Sequence, residues 1–400
     1  MSRRLSRRAL PLCVLLTGVL TGALLRTTPA AHAHAEPPRP HAAERGPTGL
    51  FQESATARLQ ADGSLSDVVG LSKTDVWAVG QEDVWEAWQN RGVITHWDGT
   101  GWTEVGIRND ASSAGHLRSV AAASPRDIWA VGEGHDGLPY VVRGDGSAFD
   151  RVSVPQLGSG DWLGGIDAVP GRMVAVGGRG GDTLIATATA KGWTAVKGKA
   201  KGMLYGVALT RKGDGWAVGD GASQPLIMRL SGNAWKTVTA PSIPGGYLRD
   251  VSMDGPKKAV AVGGVYHDDG KISPLLLEWN GKRWRRAQLP DRYAELYGVT
   301  GDGKGHFWVS GFDAGHPGEA YLLRGGASGW RAVRGEGSAR PRTMRLQSVA
   351  HVGDLTLAVG HVVDADDHYT DVIERFQPKT VKADAAATIG TDGDGSPAAR

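Results

Sequence analysis

The sequence predicts an all-β protein: a single seven-bladed β-propeller of four-stranded antiparallel blades, closed by an N-terminal strand. Three observations lead there. A β-forming triplet ending in glycine recurs seven times at intervals of 42 to 52 residues. Each repeat divides into four short β-like segments separated by turn residues. The outermost segment carries its aromatic in only six repeats, and a candidate seventh copy stands in front of the first repeat.

The recurring element is Trp77-Ala78-Val79-Gly80, Trp129-Ala130-Val131-Gly132, Val174-Ala175-Val176-Gly177, Trp216-Ala217-Val218-Gly219, Val260-Ala261-Val262-Gly263, Trp308-Val309-Ser310-Gly311 and Leu357-Ala358-Val359-Gly360. A period in this range belongs to propeller blades or a solenoid. The segments decide between them. The second repeat offers Leu117–Ala122, Ile128–Gly132, Tyr140–Arg143 and Phe149–Val154, rich in β-branched and aromatic residues. Its neighbours follow suit, with Asp-Gly and Asn-Gly hairpins such as Trp97-Asp98-Gly99 and Trp279-Asn280-Gly281. No long helical pattern interrupts the series, which favours a propeller. The glycine after each triplet is expected to permit a bend or a close approach.

The fourth-segment aromatic stands at Trp102, Phe149, Trp193, Trp235, Trp284 and Trp330, and the seventh repeat loses the pattern after Phe376. Phe51 precedes Val68 by the same 17 residues that separate Phe149 from Ile166. Phe51–Leu59 is therefore expected to complete the last blade and remove two open sheet edges. The competing supplier, Thr380–Thr388, has a weaker, Ala-rich composition. The fixed place of these aromatics favours packing between blades over a ligand track.

The ends read differently. Residues 1–35 carry a basic MSRRLSRR start, an apolar run and small residues, the pattern of a secretory signal peptide. Ser6-Arg7-Arg8-Ala9-Leu10 resembles a twin-arginine export signal; an ordinary basic start is the alternative. Residues 36–50 form a Pro-rich lead-in, 51–378 the propeller, and 379–400 a small, polar, glycine-rich tail expected to be disordered. Removing the five leader arginines leaves 40 basic and 42 acidic residues, a balance unlike that of nucleic-acid binders. No later segment has the apolar length of a membrane span. The only cysteine, Cys13, lies in the leader, so the mature chain is expected to lack disulfides. These features predict a secreted monomer.

The repeated WAVG strand, followed by a tryptophan-ended strand such as ITHWDGTGW, resembles secreted bacterial seven-bladed β-propellers over roughly Phe51–Pro378. The resemblance implies the fold. That superfamily includes carbohydrate binders, lyases, hydrolases, oxidases and scaffolds, so it selects no activity.

Two sets of residues could carry function. The loops after the second segments are rich in acid and histidine, densest at His361, Asp364, Asp366, Asp367 and His368. Oxygen ligands with imidazole could take a divalent cation, although the EF-hand pattern is missing and a solvent-facing loop is the alternative. No other cofactor is implied. The second set is the position just inside the first segment: Ser66, Arg118, Gly164, Tyr205, Arg249, Tyr297 and Gln347. Ring closure would gather these at one channel mouth, with Arg118, Tyr205, Arg249, Tyr297 and Gln347 as candidate ligand contacts. The expected role is a binding module for an extracellular glycan, peptide or protein. An extracellular lyase or hydrolase is the alternative, requiring acid and base groups to converge from His135, His267, His316 and His361. A structural module of a secreted assembly is a third.

Overall fold

The computed structural model describes residues 51–376, apart from 58, 61, 87, 111, 112 and 339. The expected leader, lead-in and tail lie outside the described residues. The described chain forms seven antiparallel sheets arranged as blades. Their innermost strands are Ser64–Ser72, Ala114–Ser124, Asp161–Val169, Met203–Leu209, Gly246–Met253, Ala294–Gly301 and Arg342–Val352. Each packs beside the next, and the seventh returns to the first, which closes the ring around a channel.

The closure uses the N-terminal strand. Phe51–Ala55 pairs antiparallel with Tyr369–Phe376, placing Phe51 opposite Phe376. The Asp371 carboxylate continues the seam by accepting the backbone N–H groups of Ala57 and Leu59. The last blade thus gets its fourth strand from the front of the chain. Blade two departs from the pattern: Ile107–Arg108 adds a short parallel edge strand beside Phe149–Arg151.

The repeated triplet is buried on both faces, which explains its lack of polar alternation. Strand geometry sends successive side chains to opposite faces. Trp216 and Val218 therefore enter the core shared with blade five, while Ala217 enters the core shared with blade three. The third strand supplies a cation or imidazole opposite each tryptophan. Arg143 lies 5.1 Å from the Trp129 ring, Arg229 5.3 Å from Trp216 and Arg324 5.0 Å from Trp308, while His96 stacks on Trp77 at 4.1 Å. An outer-strand aromatic of the following blade meets the other side. Phe149 lies 5.5 Å from Trp77, Trp193 5.7 Å from Trp129 and Trp284 5.0 Å from Trp216. These rings join blade to blade by area burial and edge-to-face contact, as their repeated placement predicts.

Candidate functional site: the channel mouth

One residue of every innermost strand lies one position before the ring set: Leu65, Leu117, Leu163, Leu204, Leu248, Leu296 and Leu346, each at most 1% exposed. Immediately after each leucine the ladder slips. Leu65 faces Gly80 but Asp67 faces Val79, so Ser66 has no partner. Equivalent slips isolate Arg118, Gly164, Tyr205, Arg249, Tyr297 with Gly298, and Gln347. Every predicted ring residue is thus a bulged residue. A bulge bends the strand and re-aims a side chain. All seven line one cavity of about 340 Å³ in the channel.

The bulge also accounts for the recurrent glycine. The strand carbonyl preceding each leucine tilts onto the glycine of the second strand. A Cβ on Gly80 would sit 2.0 Å from the Ser64 oxygen, and one on Gly177 only 1.7 Å from that of Trp162. The same obstruction stands at Gly132, Gly219, Gly263, Gly311 and Gly360. Those contacts are with backbone, which cannot rotate away. The expected close approach is therefore the cause of the repeat.

Above the ring lies a tier absent from the sequence expectations: Ser64, His116, Trp162, Met203, Tyr247, Glu295 and Arg345, each directly before a repeat leucine. It braces the ring. Arg118 donates to Glu133 at 2.6 Å and lies 5.4 Å from the Trp162 ring. Trp162 Nε1 donates to the same Glu133 at 3.2 Å, and its ring meets Tyr205 edge-on at 5.6 Å. Across the mouth, the Tyr297 hydroxyl donates to Glu295 at 2.5 Å and accepts from Arg345 at 2.5 Å. Burial raises the Tyr297 pKa above its ordinary value, which keeps that hydroxyl a donor. Ser66 Oγ lies 2.7 Å from His116 Nε2, and burial followed by the charge of Arg118 holds this imidazole well below its usual pKa.

Arg249 differs from the other mouth cations. It is exposed, lies 4.7 Å over the Tyr297 ring, and makes no ion pair or hydrogen bond among the described residues. Gln347 lines the cavity, and its side chain likewise makes no hydrogen bond among them.

Below the ring, carboxylates tie blades together. Asp67 accepts Val120 N at 2.9 Å, Ser119 Oγ at 2.7 Å and Ser348 Oγ at 2.6 Å, reaching both neighbouring blades. Asp250 accepts Val299 N at 2.8 Å and Asp167 accepts Leu209 N at 2.6 Å. The channel walls crowd these groups and raise all three pKa values; Asp167 and Asp250 are pushed up to about 7, against the pull of their backbone N–H partners. Their oxygens are committed to the fold.

The acidic loop of blade seven does not assemble as a cation site. Among the described residues no group of three His, Cys, Asp or Glu side chains is placed to hold a metal. His361 lies inside a buried strand with Nδ1 2.8 Å from Ser64 Oγ. Asp364 lies three extended residues further along, about 10 Å away by strand rise. Asp364 closes its own turn by accepting Asp366 N at 2.9 Å and His368 N at 3.0 Å. His368 is turned toward Asp62 at 3.3 Å, and Asp367 stands in the left-handed region at φ 64°. Proximity in sequence is spent here on an extended strand and a turn, not on a shared centre.

The four candidate histidines each have a polar partner. His135 lies 2.9 Å from the Asn90 carbonyl, His267 2.8 Å from Ser273 Oγ, and His316 2.9 Å from Asp313. His361 is the one bound to Ser64. They belong to blades two, five, six and seven.

Together the fold and the mouth define a seven-bladed β-propeller with a polar, braced opening. No family model and no curated protein matches the chain. Among solved structures, it is similar to one described as YCF48 bound to D1 peptide, with TM-score 0.54 and 16% identity over 82% of this chain and 94% of that one. YCF48 from Cyanidioschyzon merolae gives TM-score 0.53 and 14% identity over 82% of this chain and 99% of that one. The WD40 β-propeller domain of Doa1 gives 0.52 and 11%, covering 83% and 97%. At these identities the likeness is one of fold. No described helix is long and apolar enough to cross a membrane.

Proposed function

We propose that this chain is an exported binding module that takes a polar ligand at the mouth of its channel. The observation that carries this is the convergence of Arg118, Tyr205, Arg249, Tyr297 and Gln347, from five separate blades, on one cavity. Hydrogen-bond donors and aromatic rings on a rigid rim suit a peptide, a protein segment or a glycan. Export rests on the basic and apolar leader pattern. Binding without catalysis is favoured because each of the four histidines is already engaged by a polar partner and the buried carboxylates serve the backbone and neighbouring serines. A peptide ligand is a reasonable first trial, since one fold relative is described as bound to a peptide.

The test is an unbiased glycan and peptide screen followed by Arg249→Ala and Tyr297→Ala. Both should weaken binding about tenfold or more, the scale of one lost charged contact, with the β-sheet circular dichroism unchanged. Unchanged affinity in both folded variants would reject the site.

A further inference from the structure

We propose, building on the channel mouth as the binding site, that its ligand is an acidic peptide whose carboxylate is gripped by Arg249. The mouth has three arginines at ring and upper-tier positions, and two are already neutralised. Arg118 pairs with Glu133 at 2.6 Å and Arg345 with Glu295 at 3.1 Å. Arg249 alone among these three has no carboxylate within ion-pair distance among the described residues. The channel acid next to it in sequence, Asp250, turns down to Val251 N at 2.7 Å and Val299 N at 2.8 Å. On the rim, Asp220 accepts Ser223 N at 2.9 Å and so caps its own turn. An exposed guanidinium seated on Tyr297 is oriented before any ligand arrives, so little rotamer freedom remains to be lost on binding.

The same geometry selects the ligand class. A sugar ring stacks on a free aromatic face, but two of the aromatic faces at the mouth are covered. Arg249 lies over Tyr297 at 4.7 Å and Arg118 over Trp162 at 5.4 Å. What the mouth offers instead is one planar fork of N–H donors, which matches a carboxylate in a bidentate pair. A dianionic phosphate would have only one unpaired cation among these three arginines to meet its two charges. A peptide supplies single carboxylates from Asp, Glu or its C-terminus. Its amides can use the Gln347 amide and the Tyr205 hydroxyl, which make no hydrogen bond among the described residues.

Isothermal titration of the full chain tests this with four probes. These are tetraglutamate and tetraglutamine, both acetylated and amidated, tetraglutamine with a free C-terminal acid, and tetragalacturonate. Tetraglutamate should bind at least about tenfold tighter than blocked tetraglutamine, the ratio expected for one charged hydrogen-bonded pair. The free-acid form separates a terminal carboxylate from a side-chain one: recovery of tight binding there assigns the terminus. Arg249→Gln should erase the preference for charge, and Arg249→Lys should restore part of it. The proposal is overturned by no binding of any carboxylate peptide, by equal binding of charged and neutral peptides, by a preference that survives Arg249→Gln, or by tighter binding of tetragalacturonate. Gln347→Ala and Tyr205→Ala distinguish the two levels. If charged and neutral peptides bind alike and these variants weaken both, the anion claim fails and the mouth stands. If a measured affinity ignores all three positions, the mouth itself fails.

Discussion

Two adjacent positions on the same seven strands behave in opposite ways. The position before the bulge is leucine in every blade and is closed to solvent. The bulged position is Ser, Arg, Gly, Tyr, Arg, Tyr and Gln in turn, and it lines the channel. A leucine there fills the gap between neighbouring sheets, where a missing methylene leaves a cavity. The next residue is pushed out of the ladder and has no cross-strand partner to match. Packing demands one residue type at the first position, and the bulge relieves the second of that demand. The lesson is that the fold and the site are separated by a single peptide unit.

That contrast can be broken by substitution. Leu248→Ala should cost about 2–5 kcal/mol of unfolding free energy, as buried leucine truncations do. Arg249→Ala, one residue on, should cost no more than about 1 kcal/mol, the value of its cation–π contact. Urea unfolding of the two variants measures both, and equal losses would show that the bulged residue is part of the core.

Gly263 faces Leu248 across the ladder, and a Cβ there would sit 2.1 Å from the Tyr247 carbonyl oxygen. Gly263→Ala should therefore lose about 1–3 kcal/mol, the range for overpacking. Gly101, a hairpin glycine whose Cβ would meet nothing within 4 Å, is the control: Gly101→Ala should change stability by no more than about 0.5 kcal/mol. A tolerated Gly263→Ala would mean that the bulge can flatten.

A pH-dependent effect should accompany these. The folded pKa of Asp250 is pushed up to about 7 by burial, above the 3.8 of the free side chain. The folded state then holds a proton that the unfolded state has released. Asp250 therefore favours folding at low pH and loses that contribution as pH rises from about 4 toward 7. Asp250→Asn removes the titration. The stability difference, variant minus wild type, should move in favour of the variant over this window, by at most about 1.4 kcal/mol per pH unit. His361, lowered to about 4 by burial and then by Arg345, acts in the opposite direction in both proteins and cancels from the difference. A difference that is flat from pH 4 to 7 would mean the carboxyl is solvated.

Much of this was legible in the sequence. The glycine-ended triplets marked the blades, and the Phe51 spacing marked the closing strand, because both are periodic. The ring residues followed from the same register. What the register could not show was why they converge. A bulge is a slip in pairing between two strands, and neither strand records it alone. The bracing tier of Trp162, Glu295 and Arg345 was missed although the same register reaches it. Their signal was their place directly before the constant leucine. The His361–His368 cluster misled because neighbours in sequence become distant when the chain is extended.

The most direct measurement is a crystal structure grown with the tightest ligand from the peptide and glycan screen. The account predicts ligand density inside the ring of Arg118, Tyr205, Arg249, Tyr297 and Gln347, with a carboxylate against Arg249 and all seven bulges in place. Density confined to the outer rim, or to the opposite end of the channel beside His351, would contradict it.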